Sequence, residues 1–319
     1  MRLNWRSASG RGLLYQAVAL LVVLLLGWFL ASNTAHNMAQ RGIQSGFDFL
    51  WDPAGFEIGE GLFNFDSTQS YALAFLTGLG NTVRVAFTGI VLATLLGTLL
   101  GVGRFSRNLL VRVLCSAYVE VFRNIPLLLQ LLMWYLMLAE LLPATDAPIT
   151  LGHLEMSKGG LIWNSEALPN ASVDDLPKEP LWALSPEFMA LTLGLTLYTA
   201  AFMAEVVRAG VAAVPRGQTE ACAALGLSRL QAMRHVLLPQ ALRIIIPPMT
   251  NQYLNLTKNS SLAVAIGYPD VVSIANTALN QTGRAVECIA LVMAVYLCTS
   301  LLTALLMNAY NQRVALKER

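Results

Sequence analysis

The run LLYQAVALLVVLLLGWFLA, residues 13–31, carries no charge over nineteen positions. As a helix rising ~1.5 Å per residue it is about long enough to cross the ~30 Å hydrocarbon core of a bilayer. In lipid, backbone polar groups must be satisfied within the segment itself, so the run is restricted to a helix. Five further apolar runs follow, at residues 78–103, 126–142, 186–207, 241–266 and 288–308. The composition agrees: 55% of residues are hydrophobic and 13% charged, against roughly 25% charged in soluble domains. The expectation is an all-α transmembrane chain of about six helices, with membrane lipid around it. A net charge of +2 reports topology rather than a nucleic-acid partner, because Lys and Arg collect in cytoplasmic loops.

A basic start (Arg2, Arg6, Arg11) before the first run also fits a secretory signal peptide. The run is longer than a usual signal core, however, and SNTAHNMAQ is a poor cleavage site. A retained helix is expected, giving an N-terminal unit over residues 1–77. Its segment 32–77 is polar and Gly-rich, with Asp48, Asp52, Glu57, Glu60 and Asp66 against Arg41, and lies on the membrane or the protein surface. The main unit spans 78–310 and a tail 311–319. Small residues in the second span permit close helix approach, and Arg84 near its start is placed to reach the headgroups. An interfacial helix carrying Glu120 and Arg123, an i,i+3 pair, leads through Pro126 into the third span. The segment 143–185 is a polar connection; its NAS at Asn170 fits the glycosylation acceptor pattern only weakly. Cys115, Cys222, Cys288 and Cys298 have no CxxC spacing and read as buried free thiols. The histidines lie too far apart for a metal site, so no metal is expected.

Charge sets the orientation. With the N-terminus in the cytoplasm and six alternating spans, fifteen of the 21 basic residues fall inside. They are Arg2, Arg6, Arg11, Arg104, Arg107, Arg112, Arg123, Arg208, Arg216, Arg229, Arg234, Arg243, Arg313, Lys317 and Arg319. Arg41, Lys158, Lys178 and Arg284 fall outside, and Arg84 and Lys258 within spans. That asymmetry is a strong positive-inside signal. It places both termini, and the loop 215–239, in the cytoplasm.

That loop, within EACAALGLSRLQAMRHVLLPQALRIIIPP, has its own pattern. An Ala-rich helix over 218–225 ends at Gly226, a residue suited to a left-handed helix end. Ser228 followed by Gln231 is a capping box that starts a second helix. Leu230, Met233 and Leu237 share one face, with Arg229 and Arg234 elsewhere, and Pro239 limits the helix. Two short helices at a fixed bend make a docking hook for a cytoplasmic partner; an amphipathic loop on the membrane surface is the competing reading.

Glu220, Ala221, Gly226, Leu238 and Pro239 stand in a pattern that resembles the EAA loop of ABC importer permeases: Glu-Ala-Ala, three residues, Gly, nine residues, Ile, any residue, Leu-Pro. Cys222 and Val236 depart from it conservatively. YVEVFRNIPLLLQL, YTAAFMAEVVRAGVAAVPRGQ and YLNLTKNSSLAVAIGYPDV extend the resemblance, over residue 78 to the C-terminus, to permeases of the polar amino acid branch, in particular the general L-amino acid type. The resemblance implies a MetI-like core of five helices plus one N-terminal helix. It implies that the loop forms coupling helices seated in a groove of the ATP-hydrolysing subunit. It also implies an ABC ATPase dimer carrying ATP and Mg, a second permease that is related or identical, and a periplasmic solute-binding protein. This chain would hold no cofactor and import L-amino acids across the inner membrane. The chain has no GxxxxGK[ST] of its own.

Charges inside spans are costly and face a cavity or a partner. Glu205 and Arg208 (i,i+3), with Lys258 and Asn259, are therefore pathway candidates, suited to a substrate bearing an ammonium and a carboxylate. For Lys258 the alternative is an ion pair, with Glu205 or with a second chain. Asn251, Gln252 and Asn255 precede it at helical spacing. Glu120, Arg123 and Asn124 are candidates for a cytoplasmic gate. Two other classes stay open. A secondary transporter would work without ATP and often shows inverted repeats; one broken span and no convincing repeat are seen. A membrane enzyme needs a catalytic set, and neither HExxH nor GxSxG occurs.

Overall fold

A computed structural model of the chain describes residues 8–42, 45–61, 65–163 and 182–314. Asn170, Lys178, Arg2, Arg6, Lys317 and Arg319 lie outside the described residues. Among the described residues four helices are long and apolar enough to cross a membrane: α1 (Ala8–Gln40), α2 (Tyr71–Gly103), α5 (Pro186–Ala212) and α10 (Ala285–Val314). Two bent pairs qualify together. One joins α3 (Leu109–Asn124) to α4 (Leu127–Leu141) through a 105° turn at Pro126, and the other bends by 49° before α9 (Val271–Thr282). Counting each pair as one span gives six, as expected.

Helix α5 is the axis of the bundle. Gly97 and Gly101 of α2 face it at i,i+4, and only hydrogen fits there. A Cβ at Gly97 would lie 2.6 Å from the Met203 Cβ and 2.9 Å from the Ala200 carbonyl oxygen. This is the close backbone approach that small residues allow in lipid, where no hydrophobic drive holds helices together. Leu131 of α4 and Leu256 of α8 (Leu238–Asn259) complete this core with Leu191 and Leu195. A second core sits at the N-terminal end of α2, where Phe49, Ile58 and Phe65 pack on Tyr71, Ile274 and Cys288. It pins the N-terminal polar segment down, helped by Arg284 to Asp48 at 3.0 Å and the Gly46 amide donating to Glu287 at 2.7 Å.

Several expectations change. The first helix runs past residue 31 to Gln40, and the second starts at Tyr71 rather than 78. Arg84 does not reach out to headgroups: Glu60 pairs with it at 2.7 Å, and its guanidinium lies 4.4 Å from the Phe188 ring centre. Cys222 and Cys288 are buried, but Cys298 is exposed and Cys115 half-buried. The TKNSS run does not interrupt the fifth span as a break. Thr257, Ser260 and Ser261 return their hydroxyls to carbonyls three or four residues back, and the backbone only tightens to a 3-10 helix at Ser260–Ile266.

The connection 143–185 is more than a polar link. It holds a four-stranded antiparallel sheet in the order β1 (Ile149–Leu151), β2 (Leu154–Ser157), β3 (Gly160–Trp163) and β4 (Trp182–Leu184). His153, Trp163 and Trp182 stack along it, with ring centres 5.8 and 5.9 Å apart. Strands of three or four residues leave too little alternation to detect in a sequence.

Candidate functional site

The hook forms as its residues require. Helix α6 (Arg216–Ala224) starts after Pro215 and ends on Gly226 at φ +71°. The Leu227 amide donates to the Cys222 carbonyl and the Gly226 amide to the Ala223 carbonyl, both at 3.0 Å. These two bonds make a Schellman ending, which requires the left-handed residue. Ser228 and Gln231 then exchange backbone bonds at 3.3 and 2.9 Å, the capping box of α7 (Arg229–Ala232). Every turn of the hook thus has a local chemical cause, and Gln240 ties it to α8 through Gln218 at 3.2 Å.

Pro239 does not end the second helix. The chain makes a π-turn at Met233–Leu237, with the Leu238 amide reaching five residues back to the Met233 carbonyl, and continues into α8. A proline cannot donate to the carbonyl four residues earlier, and the wider turn takes up the missing bond. Hook and fifth span are therefore one mechanical piece. Cys222 and Ala232 are buried behind it, while Glu220, Ala221 and Gly226 are exposed. Leu225 and Leu230 are exposed to 79% and 77% at its tip. Leu225 was not singled out from the sequence. Its place beside the left-handed glycine, at the apex of the bend, was the available signal.

The charged span residues separate into two groups. Arg104, from the end of α2, joins Glu205, and Arg208 grips the same carboxylate through Nε at 3.0 and 3.1 Å. The two arginines come from different helices, so the triad locks the C-terminal ends of α2 and α5 together. Glu205 and Arg123 line one cavity of about 460 Å³ with Phe202, Pro248 and Gln252. Among the described residues Glu120 and Arg123 make no ion pair. The Arg123 guanidinium instead lies 5.2 Å from the Phe202 ring centre, and Asn124 donates to the Glu120 carbonyl.

Lys258 does not pair with Glu205, which is already held by two arginines. It is exposed on α8, with Asn251 and Asn255 on the same outward face and Asn259 half-buried beside it. Asn251, Asn255 and Lys258 step by four and three residues, one stripe of a helix. Among the described residues Asn251, Asn255 and Lys258 stay exposed along that polar stripe. At the N-terminal end of α5 a cavity of about 550 Å³ is lined by Glu57, Glu60, Glu187 and Lys158. Burial pushes the Glu60 carboxyl above its ordinary value, against the opposing pull of Ser185 and Arg84.

Residues 89–316 match the family described as binding-protein-dependent transport system inner membrane component. The chain is 40% identical to the general L-amino acid transport system permease protein AapQ of Rhizobium johnstonii, over 97% of this chain and 93% of that one. It is 34% identical to the glutamate/aspartate import permease protein GltJ of Escherichia coli K12, over 75% and 87%. Among solved structures, an amino acid ABC transporter with histidines superposes with a TM-score of 0.59 at 26% identity, covering 76% of this chain and 95% of that chain. The inward-facing MetNI methionine ABC transporter shares the fold at a TM-score of 0.53 and 20% identity. The chain belongs to the binding-protein-dependent transport system inner membrane component family, in its amino acid ABC permease branch.

Proposed function

We propose that this permease moves L-amino acids inward across the bacterial inner membrane, driven by ATP hydrolysis on a separate ATPase dimer that carries the ATP and Mg. The observation that carries the reading is the hook: a locally fixed two-helix bend, continuous with a span, with two leucines bare at its tip. Leu225 and Leu230 flank the bend and give the hook an apolar tip. A hydrophobic groove on a partner would cover them, and the ATPase groove fits that need. Closure of the ATPase dimer pulls the hook, and the unbroken helix through Pro239 carries the pull into α8. The basic loops support a cytoplasmic side for the hook and both termini.

The polar stripe Asn251, Asn255 and Lys258 faces a second permease, related or identical, with the substrate path between the two chains. Glu205 and Arg123 act at the inner gate of that path. The acidic outer cavity lies on the side where a periplasmic solute-binding protein delivers its cargo. A charge-bearing stripe in a span is costly unless it meets water or a partner, and a path for zwitterions supplies both.

The test is copurification from native membranes of wild type and the double variant Leu225→Ser, Leu230→Ser. The wild type brings down an ATPase subunit; the variant loses most of it while its own yield and elution volume hold. Equal recovery of ATPase with both would remove the hook as the dock. No ATPase with either would return the secondary-transporter reading.

A further inference from the structure

Behind the hook lies an apolar cavity of about 420 Å³, between the ends of α2 and α5 and the π-turn. Val102, Phe105, Val214, Met233 and Leu237 line it, and Thr219 is the one polar side chain among its lining residues. Its size falls in the range of small-ligand pockets, roughly 300–1,000 Å³. The triad, the hook's tip and the polar stripe are elsewhere; of the coupling-loop residues only Leu238 lines it, and the pathway reading leaves the space itself unused.

Its surroundings say what enters. Phe87, Val91, Leu95, Leu99 and Val102 form one exposed row along α2. The first four stand two positions out of step with Gly89, Ala93, Gly97 and Gly101, which are buried against α5 and α8, and Val102 follows Leu99 by three. Two residues turn a helix by roughly 200°, so the row is the face opposite the packed one. It is a hydrocarbon-facing track, and Val102 at its end is a wall of the cavity. Three cations stand close in the chain to lining residues. Arg107 follows Phe105 by two, Arg234 is next to Met233, and Arg216 precedes Thr219 by three. All three are exposed, and among the described residues none makes an ion pair. Glu220, next to Thr219, is the one acid beside these lining residues in the chain, so three cations stand against one carboxylate.

We propose that this cavity takes an acyl chain of an anionic phospholipid from the cytoplasmic leaflet, its phosphate held among Arg107, Arg216 and Arg234. Basic pockets between spans on that side of a membrane suit such headgroups. The lipid would fill the joint between hook and spans, the place where force passes from the ATPase to the bundle. The proposal rests on the cytoplasmic placement of the hook but not on the identity of the substrate.

The experiment uses the complete transporter with its ATPase in nanodiscs of phosphatidylcholine carrying a trace of phosphatidylglycerol with a photoreactive tail. After irradiation, peptides are mapped by mass spectrometry. Label is expected on residues 211–214 or 233–238, competed by unlabelled phosphatidylglycerol and at least fivefold less by phosphatidylcholine. Thr219→Trp, which puts an indole into the cavity, is expected to cut the label at least fivefold. The surface triple variant Arg107→Gln, Arg216→Gln, Arg234→Gln is expected to abolish the preference for the anionic lipid, and it keeps the test open if Thr219→Trp fails to assemble. Label unchanged by both variants, or equal competition by the two lipids, overturns the proposal. So does a cavity crosslinked only to the ATPase, which makes it part of the subunit interface. Recovery of the ATPase in the same preparation reports separately on the hook.

Discussion

Replacing Gly226 by alanine tests whether the hook works through its backbone. At φ +71° the residue lies in the left-handed region, and a Cβ built there meets nothing within 4 Å. The methyl group therefore costs no clash, and the penalty is conformational alone: about 1–2 kcal/mol for an L-residue in that region. The penalty is met when the hook adopts the geometry that satisfies Leu227 to Cys222 and Gly226 to Ala223. If docking needs that geometry, the fraction of competent hooks falls and the apparent Kd rises in proportion. A cost of 1–2 kcal/mol corresponds to roughly 5- to 30-fold. Asparagine visits the left-handed region several-fold more readily than other non-glycine residues, so Gly226→Asn is expected to bind within a few-fold of wild type. The assay is titration of the ATPase subunit onto the nanodisc-held permease pair. Equal Kd for glycine, alanine and asparagine would refute the reasoning. Equal losses for alanine and asparagine would mean that side-chain bulk at the interface matters, not φ.

Other outcomes follow from the same structure. Glu205→Gln leaves Arg104 and Arg208 without their shared carboxylate; uptake is expected to fall with the complex still assembled, and normal uptake would take Glu205 off the gate. Lys258→Met removes the exposed cation of α8, so transport should drop several-fold while ATPase recovery is unchanged; loss of assembly instead would make Lys258 a contact to the second permease. Gly97→Ala forces a Cβ to 2.6 Å from the Met203 Cβ, an overpacking cost of about 1–3 kcal/mol that should show as a lower thermal midpoint in detergent. The Arg284 guanidinium holds the Asp48 carboxyl below its ordinary value of 3.8. The tether it makes is therefore complete above pH 3.8 and is lost as the pH falls through the lower folded value. Amide exchange in residues 45–61 should rise in acid and, for Asp48→Asn, already at pH 7; unchanged exchange in the variant would show that the apolar packing alone holds the segment.

The residues that announced themselves in the sequence are those whose conformation is decided within a few neighbours. Ser228 with Gln231 is a cap whatever surrounds it, and Gly226 ends a helix because only glycine enters the left-handed region freely. The six apolar runs were legible for the same reason, since a bilayer demands a fixed length of uncharged helix. Pro239 marks the limit of such reading. Its missing N–H is a local fact, but the π-turn that absorbs it and keeps the helix whole belongs to the packed bundle. The partner of Glu205 was likewise invisible. Arg208 could be read three residues away, whereas Arg104 comes from a helix a hundred positions earlier, brought there by Gly97 and Gly101.

Sequence alone determined a six-span membrane chain with its basic residues gathered in alternate loops and a capped two-helix hook, because hydropathy, charge asymmetry and capping are short-range physics. Tertiary structure alone decided that Arg84 turns inward to Glu60, that Lys258 stays exposed on a polar stripe, that short strands ahead of α5 build a sheet, and that a cavity lies behind the hook. Each of these depends on which helices stand side by side, and close contact between distant segments is set by the shape of the whole core rather than by any stretch of the chain.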